Sequence, residues 1–357
     1  MTEYSIVDQV EQIAGELRAS TFIGLDTEFM REKTFFAELC LVQVATTSAI
    51  YCVDPLSNTD MQQFWDAVMQ SGWVVHSARQ DIEVIYQAAE RMPPRLFDTQ
   101  VAAGLLGHAP QLGYANLVNT LFGVALPKSH TRADWSRRPL ASEVLQYAAE
   151  DVQYLLPARD VLAEQLDKLG RLTWADEDSA MLLNPALYDI DPQQAIHRLK
   201  GARHLRGRRR VAASELASWR ESEALRANRP RQWIAKDSAL LEIATRLPQA
   251  VAELDGIADL PGGLVRRSGK QILDLVAASQ GDDDGYLPPG APDEAQKLLL
   301  KKLQQVVAEC AGELGMAAET VASKKELTAV VIDGNRESRV FSGWRNGVVG
   351  QRLQQLL

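Results

Sequence analysis

The chain has 357 residues, 46% hydrophobic and 24% charged, too many for one ordinary compact domain and of a composition that buries a core. No run of eighteen apolar residues occurs and the opening MTEYSIVDQVEQIAGELRAS lacks a basic start and apolar stretch, so neither a membrane-spanning helix nor a secretory leader is expected. The net charge of −9 is unevenly spread: residues 1–170 carry 12 Lys and Arg against 22 Asp and Glu, whereas residues 193–236 carry 12 against 3, a polyanion-binding candidate inside an acidic chain.

In chain order, TFIGLDTEF (21–29) predicts a strand, and ELCLVQVAT (38–46) and AIYCVDP (49–55) follow at hairpin spacing. A helical stretch near 58–70 precedes another strand, GWVVHSA (72–78), and helical periodicity returns at 79–91, 98–107, 113–122 and 142–168. Three early strands, a helix–strand alternation and a helical tail predict an α/β domain, a mixed sheet flanked by helices. Beyond about 175 only helical pattern remains, interrupted by SQGDDDGYLPPGAPDE (279–294), an acidic linker rich in Gly and Pro. Short pieces on its two sides match: Ile234-Ala-x-Asp-x-x-Leu240 and Val321-Ala-x-Lys-x-x-Leu327. The expected organisation is a catalytic domain over 1–170, a basic helical connector over 171–211, a helical domain over 212–280, a linker over 281–291 that lets the last module move, and a second helical module over 292–357.

Cys40, Cys52 and Cys310 are too few and too scattered for a disulfide framework or a zinc site, which suits a reducing cytoplasm. The carboxylates are more telling. Asp26 and Glu28 lie two apart in the first strand and share a face. In His76-Ser-Ala-Arg-Gln-Asp81, Ser77 and Gln80 have the spacing of a capping box, which places Asp81 in the first turn of a helix above the strand end. His76 reads as a strand-end core residue. Tyr147 and Asp151 are one helical turn apart on a face that adjoins Val144, Ala148 and Leu155 and so points to the sheet. Convergence of Asp26, Glu28, Asp81 and Asp151 would gather four negative charges, which two divalent cations neutralise. Hard oxygen donors favour Mg2+ or Mn2+ over zinc.

Asp26-Thr27-Glu28, the His76–Asp81 segment and Tyr147-x-x-x-Asp151 resemble, in order, the three motifs of the DEDD exonuclease superfamily in its tyrosine-type branch. LDTEFMREKTFFAELCLVQVA, FDTQVAAGLLG and KSHTRADWSRRPL are similar to the bacterial ribonuclease D family, and ELASWRESEALRANRPRQWIAKDSALLEIATRLP resembles an HRDC domain, with 292–357 as a second, diverged copy. The resemblance implies a ribonuclease H-like catalytic domain followed by two small all-α domains. It implies 3′→5′ hydrolytic exoribonuclease activity releasing nucleoside 5′-monophosphates, with Asp26, Glu28, Asp81 and Asp151 as ligands of two cations and Tyr147 placing the attacking water. It also implies RNA with an accessible 3′ end as the partner, precursors of tRNA and other small structured RNAs above all. A monomer is expected.

Two basic stretches are candidate RNA contacts. Lys128 and Arg132 lie in a polar segment before the Tyr147 helix, where Trp135 reads as a core anchor rather than a stacking platform. Arg206, Arg208, Arg209 and Arg210 lead into the first tail domain and read as sequence-independent phosphate contacts. Deletion beyond about 200 is therefore expected to weaken RNA binding and spare hydrolysis of a short oligonucleotide. The rival readings are a DNA-directed exonuclease of the same chemistry and a catalytically silent RNA-binding protein.

Overall fold

A computed structural model describes residues 3–7, 9–58, 60–127, 133–281 and 292–357. Six strands, β1 (Ser5–Val7), β2 (Phe22–Met30), β3 (Glu38–Ala45), β4 (Ile50–Val53), β5 (Gly72–Val75) and β6 (Leu96–Asp98), form one mixed sheet in the order β1-β4-β3-β2-β5-β6. β2, β3 and β4 pair antiparallel, as the hairpin spacing predicts, while β5 and β6 add to β2 in parallel and β1 pairs parallel with β4. β1 and β6 are absent from the sequence reading, because three residues are too few to display a period of two.

Eight helices accompany the sheet: α1 (Glu11–Ala19), α2 (Gln62–Val68), α3 (Arg79–Ala89), α4 (Thr99–Leu105), α5 (Tyr114–Phe122), α6 (Ser142–Gln153), α7 (Leu155–Lys168) and α8 (Leu172–Met181). The expected single helix over 142–168 is two, broken at Tyr154. Pro157 explains the break: it has no N–H to donate and its ring crowds the carbonyl four residues earlier, so it fits the first turn of a new helix better than the interior of an old one.

The chain folds as two compact units, one of Met1–Met30, Glu38–Tyr188 and Pro292–Leu357, the other of Arg31–Ala37 and Asp189–Ala291. The break at 188/189 falls inside the segment expected to be a connector. α9 (Gly207–Ala227), α10 (Arg231–Ile234), α11 (Asp237–Arg246), α12 (Val251–Leu254) and α13 (Gly262–Ala278) belong to the second unit; α14 (Glu294–Leu314), α15 (Ala318–Val321), α16 (Lys324–Ile332), α17 (Gly343–Arg345) and α18 (Gln351–Gln354) belong to the first. Local features recur on the two sides of the linker: α9 and α14 each run 21 residues and end in a left-handed residue, Asn228 and Gly315. The short helices α10 and α15 then end in extended Ala235 and Ala322, at φ −155° and −154°.

The last module does not stand apart. Leu303, Val307, Met316, Leu327 and Trp344 share one buried core with Ala45, Val74, Phe97 and Leu105 of the exonuclease domain. Trp344 stacks on Trp174 with centroids 4.5 Å apart and planes at 4°, and Arg345 donates to Asp178 at 2.5 and 2.8 Å. A packed aromatic pair and a buried ion pair hold this segment to α8, contrary to the expected mobility. The core of the linker, residues 282–291, lies outside the described residues. All three cysteines are free and buried, and no helix is long and apolar enough to cross a membrane among the described residues.

Candidate active site

β2 and β5 run parallel with Gly24 opposite Val74, so β5 ends at Val75 while β2 continues through Asp26 and Glu28. Crevices beyond the C-terminal ends of parallel strands are where open α/β sheets bind ligands. The register of β2 on β3 shifts between Glu28 and Phe29, and such a bulge re-aims the side chains beside it. Gly24, on the same face as Asp26, lets α6 and α7 come close: a Cβ there would lie 3.1 Å from Leu155 Cβ and 3.4 Å from the Val152 carbonyl oxygen. That approach brings Asp151, one residue before Val152, over the strand.

Carboxylate oxygens of Asp26, Glu28 and Asp151 lie within 4.8 Å of one another. Asp81 lines the same cavity of about 340 Å3, with Thr27, His76, Tyr114 and Tyr147 also in its wall. The Thr27 hydroxyl and N–H donate to Asp81 Oδ1 at 2.6 and 3.2 Å, holding the carboxylate of this buried residue in place. The Tyr147 hydroxyl hydrogen-bonds Asp151. All five residues singled out from the sequence therefore meet at one cavity.

The turn that delivers Asp81 differs from the expected capping box. α3 begins at Arg79 behind Ala78, with no side-chain cap, and Ser77 is left-handed at φ 61°. Asp98 stabilises this turn, accepting the N–H groups of Ser77 and Ala78 at 3.1 and 2.8 Å while also capping α4. An Asp directly before a predicted helix is the sequence signal that could have found Asp98. His76 is locked by Thr99 Oγ1 at 2.9 Å and the Leu112 carbonyl at 2.8 Å; a carbonyl only accepts, so Nε2 carries the proton. Tyr114 has no counterpart in the sequence reading. Its hydroxyl accepts the Tyr154 N–H at 3.0 Å and donates to the Glu150 carbonyl at 3.4 Å, fixing the α6–α7 break next to Asp151.

No Lys or Arg lines the cavity among the described residues. Burial, then the charges of Asp81, Asp151 and Glu28, drive the Asp26 carboxyl well above its ordinary value. Burial and the charges of Asp151 and Asp81 push Glu28 up to about 9. Burial raises Asp81 to about 7 against the opposing hydrogen bonds of Thr27, and Asp151 to about 7 against that of Tyr147. The Tyr147 phenol is itself raised, by burial and then by Asp151 and Glu28, so it keeps its proton. Crowded hard-oxygen donors without a protein cation fit divalent metal: octahedral sites at about 2.1 Å need ligand oxygens roughly 3–4 Å apart.

The candidate RNA contacts fare differently. Lys128 and Arg132 lie outside the described residues. Trp135 is 2% exposed in the core beside Tyr147, as expected. Arg208 donates to the Ser279 and Val276 carbonyls at 3.0 and 3.3 Å, closing the C-terminal end of α13 rather than facing a ligand. Arg210 reaches the Ala202 carbonyl at 3.4 Å; Arg206 and Arg209 are exposed.

A 3′–5′ exonuclease family model matches residues 2–167 and an HRDC domain model matches residues 210–276. The chain is 37% identical to ribonuclease D of Gluconacetobacter diazotrophicus, with 98% of this chain and 92% of that protein covered. It is 34% identical to ribonuclease D of Pseudomonas paraeruginosa, covering 96% and 93%. The crystal structure of Escherichia coli RNase D superposes with a TM-score of 0.90 at 26% identity, covering 100% of this chain and 99% of that one. The catalytic core of RRP6 from Trypanosoma brucei gives 0.59 at 26% identity, covering 78% and 80%. With this identity over nearly the whole length, and the carboxylates gathered at the strand ends, the chain belongs to the ribonuclease D family of 3′→5′ exoribonucleases.

Proposed function

We propose that Asp26, Glu28, Asp81 and Asp151 hold two divalent cations, Mg2+ or Mn2+, and that the cavity hydrolyses the last phosphodiester of an RNA 3′ end to release a nucleoside 5′-monophosphate. The observation that carries this reading is the gathering of three carboxylates within 4.8 Å in a cavity that no Lys or Arg lines among the described residues. Two ions about 3.5–4 Å apart stabilise the attacking and leaving oxygens of an in-line phosphoryl displacement. Asp26 and Glu28 present their oxygens from the strand, and Asp151 closes over them from α6. Asp81, gripped by Thr27, keeps one oxygen for the site. Tyr147, still protonated, orients the attacking water rather than taking its proton. Tyr114 positions Asp151 through the helix break.

The substrates are single-stranded 3′ ends of structured RNAs, tRNA precursors among them, met in the cytoplasm by a monomer. The Escherichia coli relative is described as an exoribonuclease involved in structured RNA processing. The test is product analysis on a 5′-labelled RNA with an unpaired 3′ end, with Mg2+, Mn2+ or EDTA, beside a matched DNA. The expected result is a metal-dependent ladder shrinking from the 3′ end of RNA alone. Equal attack on DNA would overturn the substrate, and no attack on either would overturn the role of the carboxylates.

A further inference from the structure

Gln43, in β3, is 0% exposed, and neither the nitrogen nor the oxygen of its side-chain amide has a hydrogen-bond partner. Buried polar side chains nearly always find partners, so an amide orphaned at both ends calls for a cause. Leaving it unpaired is costly, and an apolar chain of the same length, methionine, would fill the space without that cost.

The strand register shows what the amide stands beside. Gln43 is paired with Asp26 on β2 and with Cys52 on β4. Residues opposed in an antiparallel ladder point to the same face, with Cβ atoms about 4.5–5.5 Å apart. Gln43 therefore shares its face of the sheet with Asp26, and Glu28, paired with Leu41, lies on the diagonal.

The remaining surroundings are apolar. Leu41 and Ala45, two residues away in either direction along β3, are buried, and α6 lays Leu145, Ala148 and Ala149 into one core with Leu41 and Cys52. Burial pushes the Cys52 thiol up to about 12, so it stays protonated, a weak donor and a weak acceptor. The strong acceptors on this face are the carboxylates of Asp26 and, one step further, Glu28. Asp26 in turn faces three more carboxylates, so donors are what its surroundings lack.

We propose that Gln43 is a positioning residue of the metal site: when the cations are bound, its amide NH2 donates to one carboxylate oxygen of Asp26 and holds the other towards them. The inference rests on the carboxylates holding divalent cations. Carboxylates that ligate metal are themselves hydrogen-bonded, and that outer bond fixes the direction of the ligating oxygen. The same arrangement orients the amide, with its NH2 towards β2 and its oxygen towards the Cys52 thiol on β4. Gln43 does not itself touch metal or substrate. It acts through Asp26.

The test is calorimetric titration of the full chain with Mg2+, without RNA, beside melting in EDTA. Gln43→Met should weaken Mg2+ binding by about 10–100-fold. In EDTA the same variant should melt no lower than the parent, because an unpaired amide leaves the core. Its exonuclease activity, lost at low Mg2+, should return as Mg2+ is raised, whereas Asp26→Asn stays inactive. A glutamine that merely fills the core would give the opposite split, a lower Tm with parent-like Mg2+ affinity, and that result would overturn the inference. Gln43→Leu takes the place of Gln43→Met in the same titration should the latter melt early. Parent-like Mg2+ affinity in these variants would leave the two-cation reading standing; a parent that binds no Mg2+ would overturn that reading and this inference with it.

Discussion

Glu221 and Asp26 are both acidic side chains withdrawn from water, yet their surroundings push them in opposite directions. Burial alone would raise the Glu221 carboxyl. Arg231, at 2.5 and 2.6 Å, and Arg198, at 2.8 Å, outweigh burial and hold it below its ordinary value. Asp178, 9% exposed, likewise has Arg345 across it. Asp26 faces three further carboxylates and is driven well upward. Buried charge needs a partner. Where the chain supplies an arginine the acid is structural, and where it supplies only more acid the partner must come from solution.

The largest expected effect follows at the unpartnered site. Asp26→Asn should lower metal-dependent exonuclease activity by about 10³-fold or more, since several kcal/mol of charge stabilisation goes with the ion. In EDTA the same variant should melt no lower than the parent, because it removes repulsion; a clear fall in Tm would break the comparison. Arg345→Met should do the opposite. It leaves Asp178 buried and unpaired, at about 3–5 kcal/mol of stability in chemical denaturation of the full chain, and a loss below about 1 kcal/mol would mean that Asp178 finds water instead.

Tyr147→Phe should slow turnover by about 10²-fold while leaving Mg2+ binding, followed by calorimetry, largely intact. Equal loss of both would make the tyrosine a support for the metal site instead of a positioner of water. The smallest effect is in pH. With Glu28 near 9 and Asp81 and Asp151 near 7, the metal-free native state binds more protons than the unfolded chain above about pH 4, so its stability falls as pH rises through this window. Cations bind the deprotonated cluster, so the gain in Tm on adding Mg2+ should be larger at pH 8 than at pH 6. An equal gain at both would locate the ions elsewhere.

What could be read from the sequence was whatever has a short period. Asp26 and Glu28 two apart in a strand, and Tyr147 and Asp151 one turn apart in a helix, declare shared faces, but spacing does not bring separate elements together, and the convergence with Asp81 was an expectation carried by the resemblance to the three exonuclease motifs. Arginines carry no such signal. Arg138 stands in a stretch that reads as basic and polar, yet it donates to both carboxylate oxygens of Asp54 and to the Cys40 carbonyl. Arg208 reaches carbonyls some seventy positions away. Tyr114 is invisible for the same reason, since its partners arrive only when the chain breaks at Tyr154. The join between α8 and the last module hangs on Trp174 and Trp344, either of which fits any amphipathic helix.

The chain leaves the first unit at Tyr188 and returns to it at Pro292. During synthesis the sheet and its helices emerge with Trp174 and Asp178 still lacking their partners, and they wait for about a hundred residues of the other unit to be made. Only when 292–357 has cleared the ribosome can the catalytic unit close its core, so an unfinished chain exposes apolar surface for many seconds at ordinary elongation rates. Deletion beyond about 200 reproduces that unfinished state, which makes point variants, not truncation, the sound way to separate RNA binding from hydrolysis. The second unit, inserted between two parts of the first, is also tethered at both ends, so a protease cut in its connections would nick the molecule without releasing its catalytic core.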